Sequence, residues 1–303
     1  MEDIVIVCRS GQQIGMGHVV RCGHLANELM KRGASVVISE RSDEPGYRYF
    51  EKCGLPVVDA LKVGVLAGKR YPRVILDLMD YNVGYLRELH EDAKEIILLV
   101  GTGWTITPEV RGLCDLIIYQ SILDPSKDVM EAPGADLLYG IQYILLGPEY
   151  TRQAEKIRDA MIYIGGGVSK YYAAKVQHDV NAWNVGAPLY GCGTIENSLY
   201  WSQSVSCVQV CTMGMCVYEG MAVGAVPLMI SRSHDHADTA NAIQREDCGI
   251  SLGLVSRVHP SAVGEACREL LESPNLIAQM AQTGREMVDG RGVYRVAKRI
   301  LEC

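Results

Sequence analysis

Short apolar runs rich in Val and Ile alternate along the chain with segments whose apolar positions repeat at helical spacing. This alternation predicts a parallel β-sheet covered by α-helices. In the first half, the apolar runs predict strands at 4–7, 35–39, 74–78, 95–100, 115–119 and 143–147, and the helical spacing predicts helices near 18–32, 45–53 and 83–92. The segment 127–136 has neither pattern and is predicted to be a loop.

The same alternation restarts after a polar, helix-like segment at 148–159. The second half predicts strands at 161–167, 187–191, 205–210 and 226–230, helices near 169–182 and from about 215, and only helices over 259–302. We therefore expect an α/β protein with two doubly wound, Rossmann-like domains, 1–147 and 160–303, joined by a helical linker over 148–159. The last helix would be able to pack back onto the N-terminal domain. Ligands of such sheets bind beyond the carboxyl ends of the strands, so the predicted site is a cleft between the domains.

Composition narrows the class of function. The chain has 303 residues, 48% of them hydrophobic, and a formal net charge of −7, which argues against binding to nucleic acid. No apolar run reaches the roughly 18 residues that a membrane span needs. The first residues lead straight into a strand, which predicts no signal peptide and a cytoplasmic location. The eleven cysteines are odd in number and scattered, which favours reduced thiols, many of them buried.

A first candidate site lies where the loop 9–17 meets the first helix. Gly11, Gly15 and Gly17 would let the backbone turn sharply and approach a ligand, and His18 follows at the helix N-terminus. The helix dipole disfavours the imidazolium, so the ring would stay neutral and could act as a base. Glycine spacing alone fits a capping or packed histidine at least as well.

Two glycine-bearing turns in the second half could bind a diphosphate. Gly214 follows a predicted strand and the helix begins near Met215, so the amides of this turn could cradle phosphates. Glu219, about one turn into the helix, could accept hydrogen bonds from the vicinal hydroxyls of a ribose, or could be an ordinary solvated glutamate. The glycines 165–167 are a weaker candidate, since a tight strand–helix turn explains them equally well.

Two metal sites are conceivable but disfavoured. The segment "SHDHAD" places two histidines two residues apart, a spacing that suits a strand or loop, with no distant third ligand. Cys207, Cys211 and Cys216 lack the CxxC spacing of a zinc site. We therefore predict no metal.

The chain resembles a known family in several blocks. Arg9, the run Ile14–Cys22 and the pair Leu25-Ala26 are similar to the signature of the PseG/SpsG-type nucleotide-sugar hydrolases, which serve pseudaminic acid and spore-coat polysaccharide pathways and are relatives of MurG-like GT-B glycosyltransferases. "LLGPEY" at 145–150 resembles the family's segment at the domain junction. The glycines 165–167 and the stretch from Gly214 through "VGAVPLMI" resemble its nucleotide-binding region. The resemblance spans most of the chain, in order.

The resemblance implies a GT-B-like fold and a UDP-sugar substrate whose nucleotide is held mainly by the second domain. The activity it implies is metal-independent hydrolysis at C1 of a deoxy or amino sugar, with no cofactor, in surface polysaccharide or nonulosonic acid biosynthesis. His18 would be the catalytic base. The implied sugar-side residues are Arg9, Gly15, Gly17, Asp77 and Asp235, and the implied nucleotide-binding residues are Gly166, Gly167, Met213, Gly214, Met215, Cys216, Val217 and Glu219.

Three segments depart from the family pattern. Met79 stands where the family has a tyrosine after Asp77, "VGTGW" at 100–104 replaces a pair of aspartates, and Asp235-His236 replaces an Asn-Gln pair. The changes fall around the expected sugar, and they favour a different sugar or an altered reaction. A GT-B glycosyltransferase using a UDP-sugar donor therefore stays open, as does a nucleotide-sugar-binding protein with little catalysis. A Rossmann dehydrogenase is disfavoured because no GxGxxG follows the first strand.

Overall fold

The computed structural model describes residues 3–11, 15–59, 73–78, 82–101, 106–165, 168–191 and 196–302. The chain divides into two compact units. Unit 1 comprises Met1–Gly147 and Arg291–Cys303, and unit 2 comprises Pro148–Gly290. Each unit contains a parallel sheet with helices packed against it.

The described part of unit 1 contains a seven-stranded parallel sheet of order β3-β2-β1-β4-β5-β6-β7. Its strands are β1 Asp3–Cys8, β2 Ser35–Glu40, β3 Val57–Asp59, β4 Arg73–Asp77, β5 Glu95–Val100, β6 Leu116–Tyr119 and β7 Asp136–Tyr139. Its helices are α1 Gly17–Lys31, α2 Pro45–Lys52, α3 Val83–Asp92, α4 Pro108–Gly112, α5 Lys127–Glu131 and, from the end of the chain, α12 Gly292–Leu301.

The central strands of this sheet have continuous apolar runs, with polar residues only at their ends, as expected where helices cover both faces. Leu25, Phe50 and Ile75 belong to the core on the side of α1, α2 and α12. Leu86 and Leu98 belong to the core on the opposite side. The strand order reverses between β1 and β4, so the ends of these two strands form the switch point where doubly wound sheets bind ligands.

The described part of unit 2 contains a five-stranded parallel sheet of order β12-β11-β10-β8-β9. Its strands are β8 Arg158–Ile164, β9 Leu189–Gly191, β10 Ser206–Thr212, β11 Val226–Ser231 and β12 Ile250–Leu254. Its helices are α6 Lys170–Asn181, α7 Glu196–Val205, α8 Met215–Val223, α9 His234–Arg245, α10 Pro260–Leu271 and α11 Pro274–Met287.

The expected helical linker over 148–159 is wrong. Only Pro148–Thr151 forms a single turn of 3₁₀-helix, and β8 already begins at Arg158. The amide of Ile157 donates to the carbonyl of Val205 at 2.9 Å, which brings the chain alongside the start of β10. The ammonium of Lys156 donates to the carbonyls of Ser204 and Val223, each at 2.8 Å. These contacts hold the segment extended.

Two further expectations near the end of the first half are wrong. The segment 127–136, expected to be a loop, contains α5 and the start of β7. The expected strand at 143–147 is instead a 3₁₀ turn, Ile141–Tyr143, followed by irregular chain. Its apolar residues are buried by packing rather than by strand pairing: Leu145 is fully buried, and its amide donates to the side-chain oxygen of Gln120 at 3.2 Å.

No helix in the described part of the chain has the length and apolarity to cross a membrane. The cysteines of those residues are free thiols, most of them buried.

Candidate active site at the carboxyl ends of the strands

A hydrogen-bonded cluster of four side chains lies at the switch point of unit 1. Asp77 ends β4 and pairs in register with Cys8, the last residue of β1. Helix α1 begins just beyond β1, and His18, Arg21 and Cys22 all turn towards Asp77 from its first two turns. Residues three or four positions apart share a helix face, which explains why this segment delivers three side chains to one carboxylate.

Asp77 is wholly buried and is surrounded by donors. His18 Nδ1 lies 2.7 Å from Oδ1, and Arg21 Nε donates to Oδ2 at 2.6 Å. Arg21 Nη2 also donates to Oδ1, so the guanidinium binds the carboxylate in a bidentate manner. The thiol of Cys22 donates to Oδ2 at 3.3 Å.

These donors decide the charge of Asp77. Burial by itself would raise the pKa of this carboxyl, but the charge of Arg21 and the hydrogen bonds from Arg21 and His18 outweigh burial and hold the pKa well below its usual range. The side chains of His18 and Arg21 are only 11% and 7% exposed. Asp77 is therefore an ionised carboxylate in a nearly dry site.

The carboxylate also fixes the tautomer of His18. An ionised carboxylate only accepts hydrogen bonds, so Nδ1 carries the proton that it donates to Asp77. Arg21 Nη2 lies 3.2 Å from the same Nδ1, a proximity that arises because both donors converge on Oδ1. In the neutral ring, Nε2 is then the nitrogen with the lone pair, which is the arrangement of a general base oriented by a carboxylate.

Two glycines in front of His18, Gly11 and Gly15, pair with each other. Gly11 and Gly15 form an isolated antiparallel bridge, and the amide of Gly15 donates to the carbonyl of Gly11 at 2.7 Å. Their φ angles, +147° and +83°, are ones that residues with a β-carbon rarely adopt. Gly17 is the first residue of α1. Arg9 lies at the base of the loop, where its Nη1 donates to the carbonyl of Cys8 at 2.7 Å and to that of Ser39 at 3.4 Å.

In unit 2, the predicted phosphate turn lies at the carboxyl ends of β10 and β8. The amide of Gly165 donates to the hydroxyl of Thr212 at 2.9 Å and ties these two strand ends together. Gly214 is the N-cap residue of α8, and a β-carbon there would have no atom within 4 Å. Open space in front of a helix N-terminus is what an anion needs.

Fewer groups of this turn can contact a ligand than the sequence suggested. The side chains of Met213, Cys216 and Val217 are buried, so they pack in the core and cannot face a ligand. The amide of Val217 already donates to the carbonyl of Gly214 at 3.1 Å. The amides of Met215 and Cys216 lie in the first turn, where a helix provides no acceptor for its own amides. They are therefore the better candidates for phosphate contacts.

Glu219 is partly exposed and belongs to an amide network. Its Oε2 lies 3.4 Å from the side-chain nitrogen of Gln203, which also donates to the side-chain oxygen of Gln209 at 3.1 Å. Gly166 and Gly167 lie outside the described residues, as do Met79 and most of the "VGTGW" segment.

The segment "SHDHAD" is not a loop, because α9 begins within it at His234, capped by the hydroxyl of Ser233. Asp235 is exposed in the first helical turn. His236 is partly buried, and burial together with the charge of Arg232 lowers its pKa. On a helix, positions 234 and 236 point in different directions, so they cannot chelate one ion. Within the described residues, no group of three His, Cys, Asp or Glu side chains could hold a metal ion.

The structure brings His18 and Asp77 together and adds Arg21 and Cys22, which sequence reasoning had not assigned a role. The signal for Arg21 was available, because a residue three positions after His18 on a helix lies on the same face. Gln203 and Gln209 carried no signal, since nothing in the sequence says which amides will meet in the core.

Comparison with known proteins supports the fold and one distant relationship. No family profile matches the chain. It is 20% identical over 329 aligned positions to the spore coat polysaccharide biosynthesis protein SpsG of Bacillus subtilis (strain 168), an alignment that covers 96% of this chain and 95% of SpsG. This similarity confirms the resemblance predicted from the motifs.

Among solved structures, MurG of Acinetobacter baumannii matches with a TM-score of 0.66 and 14% identity, covering 99% of this chain and 100% of MurG. The spinosyn rhamnosyltransferase SpnG complexed with thymidine diphosphate matches with a TM-score of 0.61 and 12% identity, covering 100% of both chains. At these identities the matches establish the fold alone. The chain has the predicted GT-B fold of two parallel-sheet α/β domains.

Proposed function

We propose that this chain is an enzyme that uses a nucleotide sugar and transfers the sugar from its diphosphate to a hydroxyl group of an acceptor. The hydrogen-bonded cluster of His18, Asp77 and Arg21 carries the proposal, because it has the geometry of an oriented general base. Transfer is favoured because MurG-like and SpnG-like glycosyltransferases share the fold over essentially the whole chain. The name of SpsG suggests a role in surface polysaccharide assembly.

In the proposed reaction, Nε2 of His18 accepts the proton of the attacking hydroxyl. The hydroxyl oxygen forms a bond to the anomeric carbon, and the bond from that carbon to the diphosphate oxygen breaks. The nucleoside diphosphate leaves with the electron pair of that bond. Asp77 keeps its negative charge and stabilises the imidazolium that forms, while Arg21 keeps Asp77 ionised in its buried position.

The proposed division of labour follows the two sheets. Unit 1 supplies the base, with Arg9, Gly15 and Gly17 bordering it. Unit 2 binds the nucleotide, with the amides of Met215 and Cys216 at the phosphates and Glu219 at the ribose. Asp235 is proposed on the sugar side, since its exposed carboxylate lies at the start of α9 beyond the carboxyl end of β11.

Hydrolysis is the second candidate, and a specific observation favours it. The N-terminal block from Arg9 to Ala26, which contains His18, is similar to the signature of nucleotide-sugar hydrolases. The same base would then activate water in place of an acceptor hydroxyl. Hydrolysis, the interpretation that the sequence favoured, ranks behind transfer because the solved structures that share the fold include glycosyltransferases such as SpnG.

Nuclear magnetic resonance of nucleotide-sugar mixtures tests both candidates. UDP- and dTDP-linked sugars are incubated with the protein, with and without sugar and lipid-linked sugar acceptors, and diphosphate release is followed by phosphorus resonance. Release that requires an acceptor supports transfer, and release without one supports hydrolysis. Absence of release under all conditions, with no binding of UDP or dTDP by calorimetry, would contradict the proposed function.

A further inference from the structure

A buried chain of hydrogen bonds in unit 2 ends on Glu219. The hydroxyl of Tyr150 donates to the side-chain oxygen of Gln203 at 2.9 Å. The amide nitrogen of Gln203 faces the opposite way, towards the side-chain oxygen of Gln209 at 3.1 Å, the carbonyl of Cys216 at 3.1 Å and Oε2 of Glu219 at 3.4 Å. Gln209 in turn donates to the same carbonyl of Cys216 at 3.0 Å.

The orientation of the Gln203 amide is determined by its partners. A tyrosine hydroxyl on one side and three acceptors on the other leave one sensible assignment of the amide oxygen and nitrogen. The two hydrogens of Nε2 serve three acceptors, so one of them is shared. Removing the hydroxyl of Tyr150 would take away the contact that holds the amide oxygen of Gln203 and would weaken its hold on Glu219.

Burial argues that this network does more than fill space. The side chains of Gln203 and Gln209 are fully buried, and Tyr150 is 5% exposed, whereas Glu219 is partly exposed. Buried amides are costly unless every polar atom is paired, and apolar side chains would fill the same volume more cheaply. The network therefore runs from the core to a single carboxylate that reaches the surface.

The backbone is shaped to admit the network. A β-carbon at position 220 would lie 2.3 Å from the side-chain oxygen of Gln209, so Gly220 makes room for that amide beside α8. The carbonyl of Cys216 lies in the first turn of α8, the turn that is proposed to bind phosphate. The side-chain amides of Gln203 and Gln209 thus fix the carboxylate of Glu219 and the first turn of α8 relative to each other.

We infer that Tyr150 and Gln203 are positioning residues that hold the carboxylate of Glu219 in place to receive the ribose hydroxyls of the bound nucleotide. This inference rests on the proposed function, because it assumes that unit 2 binds a nucleotide. It also gives the "GPEY" segment a physical role: its tyrosine sets the orientation of a binding carboxylate on another element of the same unit.

Calorimetric titration with UDP and with 2′,3′-dideoxy-UDP separates positioning from general stability. The preference for UDP over the dideoxy nucleotide reports the hydroxyl contacts alone. Wild type should prefer UDP by about tenfold or more, as expected for hydrogen bonds to a charged group, and E219A should lose that preference. Q203M, which keeps the side-chain volume but removes the amide, should lower the preference to that of E219A. Y150F should lower the preference at least about twofold.

Y200F is the matched control. The rings of Tyr200 and Tyr150 pack edge to face with 5.3 Å between their centroids, and the hydroxyl of Tyr200 takes part in none of the hydrogen bonds of the network. It should keep the wild-type preference. If Q203M and Y150F keep the full preference while E219A loses it, the positioning role is wrong and the proposed function stands.

A ligand-free measurement tests the network by itself, whereas failure of wild type to bind any nucleotide would count against the proposed function. In protein labelled with nitrogen-15 at glutamine, the side-chain amide resonances of Gln203 should shift and exchange faster with solvent in Y150F and in E219A, but not in Y200F. Unchanged Gln203 resonances in both variants would overturn the network as a positioning device.

Discussion

At the scale of single residues, the behaviour of Asp77 depends on one arginine. Arg21 binds both oxygens of a carboxylate that has no exposure to solvent, and it offsets the cost of burying that charge. Such a pair contributes less to stability than its short distances suggest, yet breaking it leaves an unpaired charge in a dry site. Arg21 therefore stabilises the folded protein and also keeps Asp77 ionised, so that Asp77 can orient His18.

The first prediction concerns this pair. R21M should lower the free energy of unfolding by about 3–5 kcal/mol, because it strands the ionised Asp77. Arg41 offers a control on the surface: it pairs with Asp43 at 2.9 Å, both side chains are exposed, and R41M should cost less than about 1 kcal/mol. Urea denaturation of the two variants measures both values, and equal losses would contradict the assigned role of Arg21.

The second prediction concerns pH. The pKa of Asp77 in the folded protein lies below its ordinary value of 3.8, so the unfolded chain takes up a proton there before the folded protein does. The stabilisation from ionised Asp77 is fully present above that value and is lost as the pH falls towards the folded pKa. The difference in unfolding free energy between wild type and D77N should thus shrink steadily below about pH 5. Urea titrations at pH 7, 5, 4 and 3 test this, and parallel pH profiles would contradict it.

Much of this site was predictable from residue type and position, and part of it was not. His18 followed from a glycine loop that leads into a helix together with the family resemblance, and Asp77 from the resemblance alone. The bidentate contact from Arg21 required knowing that β1 and β4 are neighbours, which is a matter of strand order rather than of local pattern. The two amides near Glu219 come from α7 and β10, and no local signal encodes that they meet.

At the scale of elements, long apolar runs gave reliable strands and short or mixed ones did not. The strands at 95–100 and 226–231 were predicted closely because both faces of the sheet are covered. The short strand β3 and the glycine-containing β12 were missed, since three or five residues at a sheet edge carry little pattern. Helix α9 was missed because its polar start suggested a loop.

The third prediction concerns the start of α12. A β-carbon at Gly292 would lie 2.1 Å from the carbonyl oxygen of Ile144, so the helix can approach this backbone only with glycine. G292A should destabilise the protein by about 1–3 kcal/mol through overpacking. G112A provides the comparison, because a β-carbon there meets nothing within 4 Å, and it should be neutral or slightly stabilising. The thermal unfolding midpoints of G292A and G112A test this prediction, and equal midpoints would contradict the close packing of Gly292 against the carbonyl of Ile144.

At the scale of the whole molecule, the two ends of the chain belong to the same unit. The buried residues Val293, Val296 and Ile300 of α12 share a core with Leu25 of α1, although more than two hundred residues separate them in sequence. The sequence predicted two α/β domains and helices at the C-terminus. It placed 160–303 in the second domain and allowed the last helix to pack back onto the first; the structure assigns Arg291–Cys303 to unit 1, an outcome that no local pattern fixes.

The fourth prediction uses this assignment. Deleting residues 291–303 exposes one face of the unit 1 core, so hydrogen exchange in peptides from β1 and α1 should accelerate strongly. Peptides from β10 and α8, which belong to unit 2, should exchange as in the full chain. Hydrogen exchange followed by mass spectrometry measures both sets at once, and faster exchange in unit 2 alone would contradict the division.

The central claim is that His18, oriented by Asp77, accepts the proton of the attacking hydroxyl. Its most direct test is the rate of nucleoside diphosphate release by H18A at saturating nucleotide sugar, relative to wild type. We expect a loss of about 10²–10⁴-fold, the usual contribution of a general base, with the affinity for the nucleotide within about twofold of wild type. A variant that releases the diphosphate at the wild-type rate would contradict the account.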